Sequence, residues 1–219
     1  EGVSIDHLEH NVLDNINLSI KKGEFIYLIG DTGSGKTSLV KSLYAEIKVS
    51  AGNINIIEYD LNYITKKEIP MLRRKIGIVF QDFQLLSDRN IAKNLEFVLK
   101  STGWKNKKNI DLRIDEVLKK VQLIDVKEKM PYQLSGGEQQ RAAIARAILN
   151  NPEIILADEP TGNLDPYISQ KIIDLLKEIN ITGTTVLIAT HDYEIIKNNK
   201  SRIIKCSNKN LHEISIEEL

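Results

Sequence analysis

Residues Gly30-Asp31-Thr32-Gly33-Ser34-Gly35-Lys36-Thr37, continued by Ser38, form the pattern G-x-x-x-x-G-K-[ST]. Glycines at this spacing let successive backbone N–H groups turn inward and make a nest for an anion. A helix starting near Lys36 adds the positive end of its dipole. Lys36 can reach the β and γ phosphates of a nucleoside triphosphate, and the Thr37 hydroxyl can ligate Mg²⁺. A chance glycine loop would lack the buried strand before it and the helix after it, and both are expected here.

The second reactive cluster is Asp158-Glu159, at the end of the apolar run Ile154-Ile155-Leu156-Ala157. A strand that delivers two carboxylates at its C-terminal end places them where open α/β sheets bind ligands. Asp158 is the candidate Mg²⁺ residue. Glu159 is the candidate general base toward an attacking water. Adjacent acids can instead cap a following helix, but a triphosphate loop needs a cation nearby. No Asn-Lys-x-Asp appears, so nothing supports guanine selectivity.

Leu134-Ser135-Gly136-Gly137-Glu138-Gln139-Gln140-Arg141 is a third polar, glycine-rich stretch that opens a helix. It is a second anion-binding helix start, with Ser135, Gly136, Gly137 and Glu138 as its candidate contacts. One nucleotide rarely needs two cradles from one chain. Two cradles make sense if each faces a different nucleotide, one of them held mainly by a second copy.

These residues need a scaffold. Phe25–Ile29, Ile76–Phe80, Ile154–Ala157 and Thr185–Ala189 read as short buried strands, joined by helical stretches in the pattern of a parallel sheet. Val3 to Ile20 alternates like a small antiparallel set. Helical spacing predicts helices over Lys36–Ile47, Ile91–Lys100, Ile110–Leu123 and Glu138–Leu149. Arg202–Cys206 and Asn210–Ile214 read as a hairpin at a sheet edge. The basic run Lys105–Lys108 beside Trp104 reads as a solvated loop, with a contact to a partner or to lipid headgroups as the alternative.

Leu134–Glu138 resembles the signature sequence of the ATP-binding-cassette ATPases. Gln81 resembles that family's Q-loop glutamine, Gly162-Asn163-Leu164-Asp165 its D-loop, and His191 within Ala189–Asp192 its switch histidine. All stand in the family's order. The resemblance implies an α/β fold. It has a P-loop NTPase (RecA-like) core with a mainly parallel sheet, an N-terminal antiparallel β-subdomain and an inserted α-helical subdomain. One domain spans 1–219, with 1–83 and 138–219 as core and 84–137 as the helical subdomain. It also implies ATP and Mg²⁺ as cofactors and a head-to-tail homodimer. Each ATP then lies between the phosphate loop of one copy and Ser135–Glu138 of the other. Gln81 is implied to sense Mg²⁺ and the γ-phosphate. His191 is implied to bond the γ-phosphate and to fix Glu159 and the water. The family usually stacks adenine on an aromatic ring near the N-terminus. Ile5–His10 holds no Tyr or Phe, and His7 is the candidate in its place.

Val79–Arg89, Glu138–Arg141, Ala157–Pro166 and Ala189–Asp192 further resemble the bacterial cell-division branch. Lipoprotein-release and macrolide-export ATPases are the alternative, but they usually carry His-Leu-Leu where Gln84-Leu85-Leu86 stands here. The cell-division branch implies an integral-membrane partner of the FtsX type, received by Asp82–Arg89 and the helical insert. It places the chain on the cytoplasmic face of the inner membrane, driving peptidoglycan hydrolase activation.

Composition agrees with these limits. Thirty Lys+Arg balance thirty Asp+Glu among 219 residues, so no basic footprint supports sequence-independent nucleic-acid binding. Lys36 and Ser135 are 99 positions apart, too close for the long coiled coil of a DNA-repair or chromosome-organising head. One chain holds one cassette, unlike translation-factor pairs. Cys206 is the single cysteine. It is expected to be a small buried strand residue in a reducing compartment. No apolar run approaches the roughly 20 residues of a membrane span. No signal peptide is read at the start, and Glu1 in place of Met reads as a trimmed or processed end.

Overall fold

In the computed structural model, residues 1–7 and 10–219 are described, and the side chains of residues 7 and 10 are not. The first pair of strands, β1 (Val3–His7) and β2 (His10–Ile16), is antiparallel, with Val3 opposite Ile16 and Ile5 opposite Leu13. These four side chains are buried, which fixes the register, since a one-residue slip would turn them all outward. Leu18 and Ile20 lie beyond β2 in irregular chain, so the alternation to Ile20 overstates the strand.

The central sheet uses β3 (Phe25–Ile29), β6 (Ile76–Val79), β7 (Ile154–Asp158), β8 (Thr185–Ala189), β9 (Arg202–Ser207) and β10 (Asn210–Ile214). Between β2 and β6 lie α1 (Lys36–Leu43), the short pair β4 (Asn55–Ile56) and β5 (Tyr59–Asp60), and α2 (Ile69–Arg74). The strand order in the sheet is β10-β9-β3-β8-β7-β6. All neighbours run parallel except β10, which closes the edge as an antiparallel hairpin with β9.

The strands are apolar on both faces because both faces are covered. Tyr27, Ile29, Ile155, Ala157, Val186 and Ile188 join one buried cluster with residues of four long helices. These are α3 (Ile91–Ser101), α4 (Lys107–Lys120), α5 (Gly136–Ile148) and α6 (Pro166–Ile181). Ile26, Leu28, Leu156, Leu187 and Ala189 join the other cluster, with Leu39 and Val40 of α1 and with Ile5 and Leu13. A last short helix, α7 (Tyr193–Lys197), follows β8.

Two helices depart from the periodicity at their ends. The first helix stops at Leu43 rather than Ile47, because Ala45 takes φ +54° and the N–H groups of Glu46 and Ile47 turn back to the Lys41 carbonyl. α4 starts early, at Lys107, because the Asn106 side chain accepts from the Asn109 amide, and it ends before Gln122 at φ +57°. Lys107 and Lys108 are therefore in its first turn, and Lys105–Lys108 is exposed throughout. Cys206 is buried in β9. Among the described residues no helix is long and apolar enough to cross a membrane.

Candidate nucleotide-binding and hydrolysis site

Four neighbouring parallel strands, β3, β8, β7 and β6, end on the same side of the sheet. The candidate residues follow those ends. Gly30–Gly35 leaves β3, Asp158 closes β7 with Glu159 after it, His191 stands two residues past β8, and Gln81 two past β6. Residues separated by more than a hundred positions thus share one crevice at the carboxyl ends of the strands.

The phosphate loop depends on its glycines where the chain folds tightly. Gly30 has φ +145°, and a Cβ there would sit 2.3 Å from the Cys206 carbonyl oxygen and 2.8 Å from Ser34 Oγ. Gly35, the N-cap of α1, has φ +108°. A Cβ there would meet Val12 and Leu13 at 2.9 and 3.0 Å. Cys206 Sγ donates to the Ser34 carbonyl at 2.9 Å, so β9 supports the loop from beneath. No side chain caps α1. Its first-turn N–H groups, from Lys36, Thr37 and Ser38, are the orphan donors that bind anions at helix starts.

Lys36 is 6% exposed. Its ammonium donates to the Gly30 carbonyl at 2.6 Å and to that of Asp31 at 3.2 Å. It also stands 4.0 Å from Glu159 Oε1. The same Glu159 oxygen is 2.8 Å from His191 Nδ1. Glu159 holds φ +49°, a left-handed conformation uncommon for this residue type, and its amide donates to the Ala189 carbonyl at 2.8 Å. Such backbone persists only where surrounding bonds dictate it. Here the strain turns the carboxylate out of the strand direction, toward Lys36 and His191.

Asp158 sits deeper. Burial pushes its carboxyl above the usual range and the Glu159 charge adds to this, while a bond from the Thr37 hydroxyl and the charge of Lys36 pull the other way. Its Oδ1 is buried with no hydrogen-bond partner. An orphaned carboxylate oxygen beside a hydroxyl is a donor set of hard oxygens, which suits Mg²⁺.

Gln81, two residues past β6, lies against the turn that follows Glu159. A Cβ at Gly162 would lie 3.0 Å from Gln81 Nε2, and Asn163 Nδ2 donates to the Gln81 carbonyl at 3.3 Å. Asp165 caps α6, accepting from the amides of Tyr167 and Ile168. Gln81 and the 162–165 turn are thus joined.

Ser135–Glu138 is built differently from the phosphate loop. Ser135 and Glu138 form a reciprocal capping box: Ser135 N and Oγ both reach Glu138 Oε2 at 2.8 Å, and the Glu138 amide donates to Ser135 Oγ at 3.3 Å. Gly136 and Gly137 are the first two helical residues of α5. A Cβ on Gly137 would come 2.6 Å from Ile168 Cγ2, so that glycine also lets α5 meet α6. Among the described residues no hydrogen bond joins Ser135–Glu138 to residues 30–38. The side chain of His7, the candidate base contact, lies outside the described residues.

The ABC transporter family's model matches residues 13–162. This chain belongs to the ABC transporter family. The cassette is 44% identical over 196 residues to the cell division ATP-binding protein FtsE of Streptococcus pneumoniae, covering 90% of this chain and 85% of that protein. It is 48% identical over 192 residues to FtsE of Bacillus subtilis, covering 88% and 84%. Among solved structures, the cassette superposes with a TM-score of 0.86 on the ATP-binding cassette MJ0796, a dimer in a post-hydrolysis state bound to ADP and Pi. That match has 36% identity and covers 99% of this chain and 97% of the other.

One residue of this neighbourhood escaped the sequence reading. Arg146, in α5, reaches the backbone of Phe83 and Gln84 just past Gln81. Helical spacing alone makes it one more charged surface position.

Proposed function

We propose that this chain binds and hydrolyses ATP as one half of a homodimer, and that it powers a membrane subunit of a bacterial cell-division complex. The observation that carries the hydrolytic reading is the Lys36–Glu159–His191 cluster, with one carboxylate oxygen 4.0 Å from the ammonium and 2.8 Å from the imidazole. This is a phosphate-binding cation and a candidate base held by one rigid sheet end. Similarity to the FtsE proteins supports the cell-division branch.

The residues divide the work. Gly30–Ser38 cradle the phosphates, with Asp31 and Thr32 exposed on the rim and Lys36 on the β and γ groups. Water attacks the γ-phosphorus, the bond to the β-bridging oxygen breaks, and ADP and phosphate leave. Glu159 orients the water and takes its proton. His191 fixes Glu159 and donates to the γ-phosphate. Thr37, Asp158 and Gln81 would hold Mg²⁺, which when bound neutralises charge on the β and γ oxygens. Ser135, Gly136, Gly137 and Glu138 face the nucleotide of the second copy, so a single chain supplies half of the donors. His7 is the candidate contact to the adenine.

Residues 84–137 form the helical subdomain within the single 1–219 domain. With Asp82–Arg89 they receive an FtsX-like integral-membrane subunit on the cytoplasmic face of the inner membrane. Peptidoglycan hydrolase activation is the output, and no nucleic acid is involved. Phosphate release measured across protein concentration tests the shared site. Specific activity should rise steeply and then plateau as copies pair. A specific activity independent of concentration in a strictly monomeric sample would refute it. Pull-down from native membranes should recover a four-span FtsX-type subunit, and recovery of an export permease would overturn the branch.

A further inference from the structure

The chain between Gln81 and Leu86 is a short strap tied at three points to three different elements. At its start, Asn163 donates to the Gln81 carbonyl at 3.3 Å. At its end, Asn94 of α3 is 2% exposed. Its side chain accepts from the Leu86 amide at 2.7 Å and donates to the Leu86 carbonyl at 3.0 Å. In the middle, the Arg146 guanidinium donates to the Phe83 carbonyl at 2.9 Å and to the Gln84 carbonyl.

That middle point is strained. Phe83 has φ +59° and Gln84 φ +48°, and the Gln84 amide closes a tight bend on the Asp82 carbonyl at 2.6 Å. Two successive left-handed residues without glycine persist only when something outside holds them. Arg146 is what holds them. Its fork spends a largely desolvated charge on two main-chain carbonyls. Burial works against that charge, and Asp82 supports it.

The other end of the same helix carries Ser135. The two are eleven positions apart along α5, a rigid rod of roughly 16 Å at about 1.5 Å per residue. We infer that Arg146 is a positioning residue for ATP hydrolysis: it transmits the placement of the Ser135 helix to Gln81 by clamping the strained bend at Phe83–Gln84. When Ser135 engages the second copy's nucleotide, α5 moves as a unit and the strap moves with it. Gln81 at one end and the half-exposed Leu86 at the other are thereby set together.

This inference rests on the hydrolytic reading above, and its test separates the two. Wild type, Arg146→Ala and Arg146→Lys are compared with the same three carrying Phe83→Gly and Gln84→Gly. ATP affinity of the monomer and kcat are read for each. Arg146→Ala should lose about 10²-fold in kcat, the scale of a misplaced reacting group, with ATP affinity within about twofold. Lysine should recover only part, because a point charge cannot fork across two carbonyls. The glycine pair should restore at least tenfold to Arg146→Ala, since glycine adopts the left-handed bend without the steric strain that the clamp offsets. Three results would overturn the inference: wild-type kcat in Arg146→Ala, a loss unchanged by the glycines, or ATP affinity falling in parallel with kcat. If Arg146→Ala does not fold, Arg146→Lys with and without the glycines decides by the same criteria. A wild-type protein without ATPase activity would sink the hydrolytic reading instead.

Discussion

Replacing Glu159 with Gln keeps the shape of the side chain and removes its charge. The bond to His191, 2.8 Å in the wild-type structure, can survive with an amide oxygen as acceptor. Proton transfer from water cannot. A positioned general base contributes about 10²–10⁴ in rate, or about 2.7–5.4 kcal/mol of activation free energy at about 1.36 per tenfold. The second consequence concerns Lys36. Its ammonium stands 4.0 Å from the carboxylate, and the two side chains are only 7% and 14% exposed. At an effective dielectric of about 20, two such charges attract by about 4 kcal/mol before desolvation offsets part of it. That attraction competes with the phosphates for Lys36. Glu159→Gln should therefore bind ATP as tightly as wild type or more tightly, while kcat falls at least 10²-fold. With hydrolysis blocked, the ATP-bound pair should accumulate. Calorimetry gives the affinity, single-turnover phosphate release the rate, and light scattering after size exclusion the mass. A variant that hydrolyses at the wild-type rate, or stays monomeric in saturating Mg-ATP, would refute the reasoning.

Lys36→Ala should lose nucleotide binding, and near-native affinity by calorimetry would remove its assigned role. Ser135→Ala should cut hydrolysis about 10²–10³-fold with monomer affinity spared. It also loses the helix cap, worth about 0.5–2 kcal/mol, so the melting temperature should drop by a few degrees. Monomer affinity falling as far as in Lys36→Ala would contradict the two-copy site. Asp158→Asn should abolish Mg-dependent hydrolysis yet stabilise the nucleotide-free protein at pH 7. Burial raises the Asp158 carboxyl above its ordinary 3.8. The folded chain then favours the protonated form, and that advantage is lost as pH rises through the raised value. The gain in melting temperature over wild type should be near zero at pH 3 and largest at neutral pH, and the opposite trend would disprove the burial argument.

Much of the candidate site was legible in the sequence because it is written in contiguous residues. Gly30–Thr37 between a buried strand and a helix, Asp158-Glu159 ending an apolar run, and Ser135 three places before Glu138 are local patterns with local causes. Strands Phe25–Ile29 and Thr185–Ala189 match their predicted bounds, since continuous apolar runs of that length suit only buried strands. Helix ends were less legible. α1 stops at Leu43 because Ala45 adopts a left-handed turn, which no periodicity announces.

Sequence alone determined the chemistry on offer: a phosphate cradle, two carboxylates, a histidine and a second helix start. Tertiary structure alone decided which of them meet. The order β3-β8-β7-β6 brings His191 and Lys36 to one Glu159 oxygen. It lets Gly137 face Ile168, and it carries Arg146 to a bend 62 residues away from it. Local patterning fixes how each segment folds, but contacts between segments follow from how the sheet orders its strands and buries both faces, a property of the whole chain.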